Sequence, residues 1–148
     1  MSAPMTALQA LQATLAAEHA AVYVYGVLGG QVSRAGQPEQ YRAVSDAYTT
    51  HRGRRDLLTR TIADLGAHPV AAAAAYDVPA PLGGPAGLAR VARDLEDGCA
   101  ATYAQLVAST AGTQRRWAIS ALNDAAVRVL AFRGTPETFP GADEYTDR

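Results

Sequence analysis

The chain predicts an all-α fold, four helices packed as a bundle, and three observations carry that reading. Apolar residues recur at alternating steps of three and four along four separate stretches. The stretches are set apart by glycine, proline and polar residues, the usual punctuation of helices. A connection of roughly twenty residues rich in Pro, Gly and Ala separates the second stretch from the third, far more than a helical hairpin needs.

The first helix is expected from about 6 to 28, closed by Gly29-Gly30. Its seam reads Leu8, Leu11, Leu15, Glu18, Val22, Tyr25. The second runs from about 38 to 66, opening on Pro38, a good first-turn residue. Its seam is Tyr41, Val44, Tyr48, His51, Arg55, Leu58, Ile62 and Leu65, polar in the middle and apolar at both ends. The third, about 85 to 109, turns Leu88, Val91, Leu95, Cys99, Thr102 and Leu106 inward, with Arg90, Arg93, Asp94, Asp97 and Gln105 outside that face. The fourth, about 113 to 133, has a wide apolar arc containing Trp117, Ala118, Ile119, Leu122, Ala125, Val129 and Phe132. A polar tail, 137 to 148, offers Phe139-Pro140-Gly141 as its docking point.

Loop lengths choose the topology. Short turns make helices one and two, and helices three and four, antiparallel pairs. The crossover, residues 67 to 84, can reach about 65 Å when extended, and a 25-residue helix is about 37 Å long. Helix three can therefore start beside the start of helix two. Two antiparallel hairpins joined by one long crossover make a ferritin-like four-helix bundle. All 148 residues are read as one such domain.

Composition removes several functions. The formal net charge is −1, so no strong field points to nucleic acid or an anionic membrane. Arg52, Arg54, Arg115 and Arg116 read as solvated, with no aromatic interleaving. The stretch from Met5 to Leu28 carries Gln9, Gln12, Glu18 and His19 and would span a bilayer poorly. A single cysteine, Cys99, excludes an intrachain disulfide, and with no targeting segment it points to a cytoplasmic protein. Gly83-Gly84-Pro85-Ala86-Gly87 lacks the phosphate-loop pattern.

The candidate site consists of ionisable residues on apolar seams: Glu18, His51 and Glu96. Counting outward from the turns puts them at one height, with Tyr48 and Arg55 as neighbours and Asp124 and Arg128 opposite Glu96. Buried charges must be paired or metal-bound. The bland reading is a polar core cluster of Glu18, Tyr48, His51, Arg55 and Glu96, needing no cofactor. The sharper reading is one divalent metal ion held by Glu18, His51 and Glu96, with redox or hydrolytic activity. A third is a small-ligand pocket under the crossover, lined by Tyr23, Tyr48 and Tyr103. His19 reads as a helix-flank residue, His68 as loop and Cys99 as core. Asp124 lies on the polar edge of its helix, with its side chain expected outward, and whether Asp124 or His19 joins the cluster stays open.

Leu15-Ala-Ala-Glu18-His19-Ala-Ala-Val-Tyr23, His51-Arg52-x-Arg54-Arg55-Asp56, Tyr76-x-Val-Pro79 and Phe139-Pro-Gly141 together resemble the ferritin-like proteins grouped as domain of unknown function 4439. The resemblance spans most of the chain and implies a fold, without a settled activity. Ferritin-like di-iron proteins take one Glu from each of two helices and a Glu-x-x-His from each of the other two. Glu18 and Glu96 match the single glutamates, but the second helix offers Tyr48-x-x-His51 and the fourth only Asp124-x-x-Val127. The expectation is a non-catalytic binding or structural module, with a polar cluster in place of a di-iron centre. A homodimer formed through exposed apolar surface is compatible with that reading, though no residue derives it, and the small-molecule ligand, if any, is unknown.

Overall fold

The computed structural model describes residues 4–132, and within them the chain forms α1 (Ala7–Gln31), α2 (Pro38–Asp64), α3 (Gly84–Ser109) and α4 (Gly112–Ala131), with no strand. The tail with Phe139-Pro140-Gly141, and the last residue expected of the fourth helix, lie outside the described residues. Among those residues, no helix is long and apolar enough to cross a membrane.

Local chemistry sets most of the helix ends. Thr6 caps α1 reciprocally with Gln9: the Gln9 amide donates to the Thr6 hydroxyl at 3.1 Å, and the Thr6 amide donates to Gln9 Oε1 at 2.9 Å. α2 opens on Pro38 and stops before Gly66, whose φ of +79° suits glycine. One expected stop fails. α1 runs through Gly29-Gly30 to Gln31, because Leu28 and Val32 on either side of them are buried in the core. A glycine costs about 1 kcal/mol of helix propensity, less than the burial of two aliphatic side chains returns.

Helix directions follow from which residues meet. Gly29 faces Val44 and Gly26 faces Tyr48, while Leu11 shares a cluster with Leu58, so α1 and α2 are antiparallel. Glu96 meets Arg128 and Arg93 meets Phe132, so α3 and α4 are antiparallel as well. Gln40 bonds the Pro85 carbonyl, His51 meets Glu96, and Leu58 packs with Leu106, which makes α2 and α3 parallel. These are the two hairpins and the long crossover expected from loop lengths. The α1–α2, α1–α3 and α3–α4 seams are well packed, whereas α2 and α4 make little direct contact.

The crossover does more than span a distance. It is fastened along one flank of α1: Gln12 donates to the His68 carbonyl at 2.7 Å and accepts from the Val70 amide at 2.8 Å. His19 Nε2 lies 3.0 Å from the Val70 carbonyl, and the Tyr23 ring meets Tyr76 at 5.5 Å. Leu82 then enters the core ahead of α3. His19, left open above, thus serves the crossover and not the central cluster.

The core divides into two apolar clusters with a polar layer between them. One holds Tyr25, Leu28, Val44 and Leu88; the other holds Leu11, Leu15, Leu58, Ile62 and Leu106. Four predicted inward residues are displaced. Tyr103 is fully buried where Thr102 was expected, and Leu8, Ile119 and Leu65 are 38 %, 42 % and 55 % exposed. Thr102 and Ile119 are phase errors of about one residue, which turns a helical side chain by roughly 100°, while Leu8 and Leu65 stand at helix ends. The closest backbone approach lies where the crossover meets α3, since a Cβ on Gly87 would stand 1.4 Å from the Leu82 carbonyl oxygen. Gly87→Ala is therefore expected to lower stability by about 1–3 kcal/mol or more, read as a drop in the urea midpoint at unchanged slope.

Candidate functional site

Glu18 from α1, His51 from α2 and Glu96 from α3 are all at 0 % exposure and meet in the polar layer. His51 stands between the two acids, with Nδ1 2.6 Å from Glu18 Oε2 and Nε2 3.1 Å from Glu96 Oε1. Burial alone would lower the imidazole pKa, but hydrogen bonds to Glu18 and Glu96, and their charges, outweigh it and raise the pKa. A carboxylate at each ring nitrogen favours the protonated imidazole, which can donate from both.

Two tyrosines complete the row. Tyr103 donates to Glu18 Oε1, and Tyr25 donates to Glu96 Oε1 at 2.5 Å. Burial and the adjacent carboxylate push both phenols up, so they act as permanent donors. The result is a line across the core: Tyr103, Glu18, His51, Glu96, Tyr25. Both Glu18 oxygens are engaged. Glu96 Oε1 also has Arg128 Nε at 3.2 Å, whereas its Oε2 is buried without a hydrogen-bond partner among the described residues.

A second shell of charge lies toward α4. Arg54 donates to the Tyr103 hydroxyl at 3.1 Å and to Asp124 Oδ2 at 2.6 Å. Arg128 donates to the same Asp124 oxygen at 2.6 Å. Partial burial would raise the Asp124 pKa, but the charge and hydrogen bond of Arg128, then those of Arg54, hold it below the ordinary carboxylate range. Three acids, Glu18, Glu96 and Asp124, thus face three cations, His51, Arg54 and Arg128.

Two expected neighbours lie elsewhere. Arg55 pairs with Asp56 at 2.8 Å on the surface, and Arg54, read as solvated, takes its place in the layer. The cation goes where uncompensated acid is buried, and on α2 that is the side facing Tyr103 and α4. Tyr48 packs against Gly26 under the Arg52 guanidinium, 5.6 Å from its ring centre. Asp124 does not simply point outward: its side chain is 44 % exposed yet joins the layer through two arginines. Tyr23 is a surface residue of α1 packed against the crossover and Tyr103 a core donor, so the tyrosines proposed for a ligand pocket go to different surroundings.

Cys99 lies fully buried beside this layer. Its thiol pKa is pushed well up, first by burial and then by the Glu18 and Glu96 charges. It packs as core, as expected.

The three residues named for a metal do not surround a common point. The ring nitrogens of an imidazole diverge, so an ion bound at one of them reaches only the carboxylate on that side. A metal ligand also needs a free nitrogen lone pair, and both His51 nitrogens are already taken up by carboxylates. Among the described residues, no group of three or more His, Cys, Asp or Glu is arranged to hold a metal ion. The donor set does not fit a Glu18–His51–Glu96 ion site.

Residues 10–144 match the family described as domain of unknown function (DUF4439). The chain belongs to the DUF4439 family. The crystal structure of a conserved hypothetical protein, rv2844, from Mycobacterium tuberculosis is 30 % identical in sequence, with a TM-score of 0.74, covering 88 % of this chain and 94 % of that one. No curated protein matches. Both descriptions speak of unknown or hypothetical proteins, so DUF4439 membership brings a fold and leaves the activity to be argued from the site.

The charges set a pH profile. His51, with its pKa raised on folding, contributes stability that is full below the unfolded imidazole value of about 6.5 and is lost as pH rises through the folded value. Asp124, with its pKa lowered, contributes stability present above the unfolded carboxylate value and lost as pH falls through the folded one. Urea midpoints measured across pH are expected to show a plateau between, with an alkaline decline set by His51. A midpoint that climbs with pH through the neutral range would contradict a protonated His51.

Proposed function

We propose that this DUF4439 chain is a non-catalytic binding or structural module whose buried charged layer locks the register of the four helices. One observation carries the reading: Tyr25, Glu18, His51, Glu96 and Tyr103 are all at 0 % exposure, and both His51 nitrogens are spent on carboxylates. A general acid or base needs hydrogen-bond reach of a substrate proton, and none of these groups meets solvent in the closed bundle. A buried charge network is an uncertain source of stability. Its effect here is specificity, because only one alignment of the helices pairs every charge. In the ferritin-like comparison, this layer takes the place of the metal pair, with arginines supplying the positive charge.

The reading has a direct test. Glu18→Ala strands His51 and the Tyr103 hydroxyl in the core and is expected to cost about 3–5 kcal/mol, measured by chemical denaturation. Glu18→Gln, which keeps a side-chain oxygen for one of those donors, is expected to cost less. Wild-type protein grown in metal-rich medium is expected to carry no stoichiometric ion, and its melting temperature to stay put when iron, manganese or zinc is added. One ion per chain, lost in a Glu18→Ala/His51→Ala variant, would replace this reading with the metalloprotein alternative.

A further inference from the structure

In the half of the bundle built on Leu11, Leu58 and Leu106, all four helices line one pocket of about 120 Å³. Leu11 comes from α1, Leu57 and Leu58 from α2, Leu106 from α3 and Trp117 from α4, so its walls are almost wholly apolar. Spaces between the helices of a bundle are among the usual places for small-molecule sites. Leu57 is 37 % exposed at the edge of this one.

The dimensions fit a single ring. An engineered apolar cavity of about 150 Å³ takes up benzene, and this space is of the same order. Trp117 gives such a ring a partner. Its indole stands edge-on to Tyr103, with ring centres 6.1 Å apart and planes at 89°. Tyr103 is itself held by Glu18 and Arg54. The indole plane is therefore set before a ligand arrives, and aromatic rings attract one another beyond the burial they bring.

The polar groups narrow the class further. Among the described residues no charged side chain lines the pocket, so an ion entering it would lose its hydration without a partner. Two hydroxyls that border the pocket are engaged: Thr61 donates to the Leu57 carbonyl at 2.9 Å, and Thr113 accepts from Arg116 at 3.1 Å. The Gln114 side chain, on the same border, makes no hydrogen bond to a described residue. Its amide offers one acceptor and two donor hydrogens.

We propose that this pocket binds a small neutral aromatic molecule with one hydrogen-bonding substituent, its ring against Trp117 and its polar group on the Gln114 amide. Phenol is the simplest member of that class. The site lies apart from the charged layer, on the far side of Tyr103, and binding there does not depend on the role proposed for that layer.

Trp117 is the only tryptophan in the chain, so a single indole N–H resonance reports on the pocket. In the full-length protein, phenol is expected to shift that resonance saturably, with one molecule bound per chain. Cyclohexanol, of similar size but without a π face, is expected to bind several-fold more weakly, and benzoate to leave the resonance in place. Gln114→Leu is expected to weaken phenol about five-fold, the worth of one neutral hydrogen bond, and to leave toluene binding unchanged. The three titrations of the wild type need no variant, so they decide the matter even if Gln114→Leu folds poorly. No saturable shift with phenol overturns the proposal, as does an equal response to phenol and cyclohexanol or an unchanged phenol affinity in folded Gln114→Leu. A Trp117 resonance that moves with protein concentration before phenol is added overturns it too, assigning the pocket to a second copy of the chain.

Discussion

One histidine held between two buried glutamates organises this bundle. His51 can be satisfied only if Glu18 from α1 and Glu96 from α3 arrive at its two nitrogens together. A one-residue slip of any of these helices swings a charge by roughly 100° into apolar surroundings. Leaving such a charge unpaired costs more than most single apolar contacts return. α4 is tied to the same layer through Arg128 and Asp124. The apolar clusters on either side, around Leu28 and around Leu58, supply the bulk of the burial. In the proposed reading they tolerate sliding in a way the charged layer does not, and the layer sets the alignment that they stabilise.

Some of this was legible from the sequence, and the reasons are specific. Glu18, His51 and Glu96 stood out because an ionisable residue on an apolar seam breaks a periodic pattern. Tyr25 and Tyr103 did not, since a tyrosine on such a seam looks like ordinary core and its hydroxyl leaves no mark on the spacing. Arg54 was passed over for Arg55 because a single seam describes one face of a helix, and α2 must also answer Tyr103 and Asp124 from another side. A charge count does ask for a cation beside two buried acids and one histidine, but the Arg52–Arg55 run offers several and the seam spacing alone selects Arg55. Topology was read correctly because loop length is a distance constraint, insensitive to small errors of phase. The α1 end was misplaced because local glycine propensity was weighed without the burial of Leu28 and Val32.

The crossover shows how a segment without regular structure earns its place. Gln12, His19 and Tyr23 fall on one flank of α1, and each finds a partner in the 68–76 stretch. The fastening fixes the start of α3 relative to α1, which is what allows Glu96 to meet a histidine far away in sequence. Gly87, pressed against the Leu82 carbonyl, marks where that path ends and α3 begins. The parallel course of α2 and α3, and with it the meeting of His51 and Glu96, follows from this strap.

Cys99 turns the interior into something that can be timed. The thiolate is the reactive form, and in the closed bundle burial and two neighbouring carboxylates suppress it. No reagent reaches the sulfur until α3 separates from its neighbours. The chain's lone thiol therefore behaves as a latch indicator: its modification rate counts the excursions in which the core comes apart, and stays silent to motions of the surface.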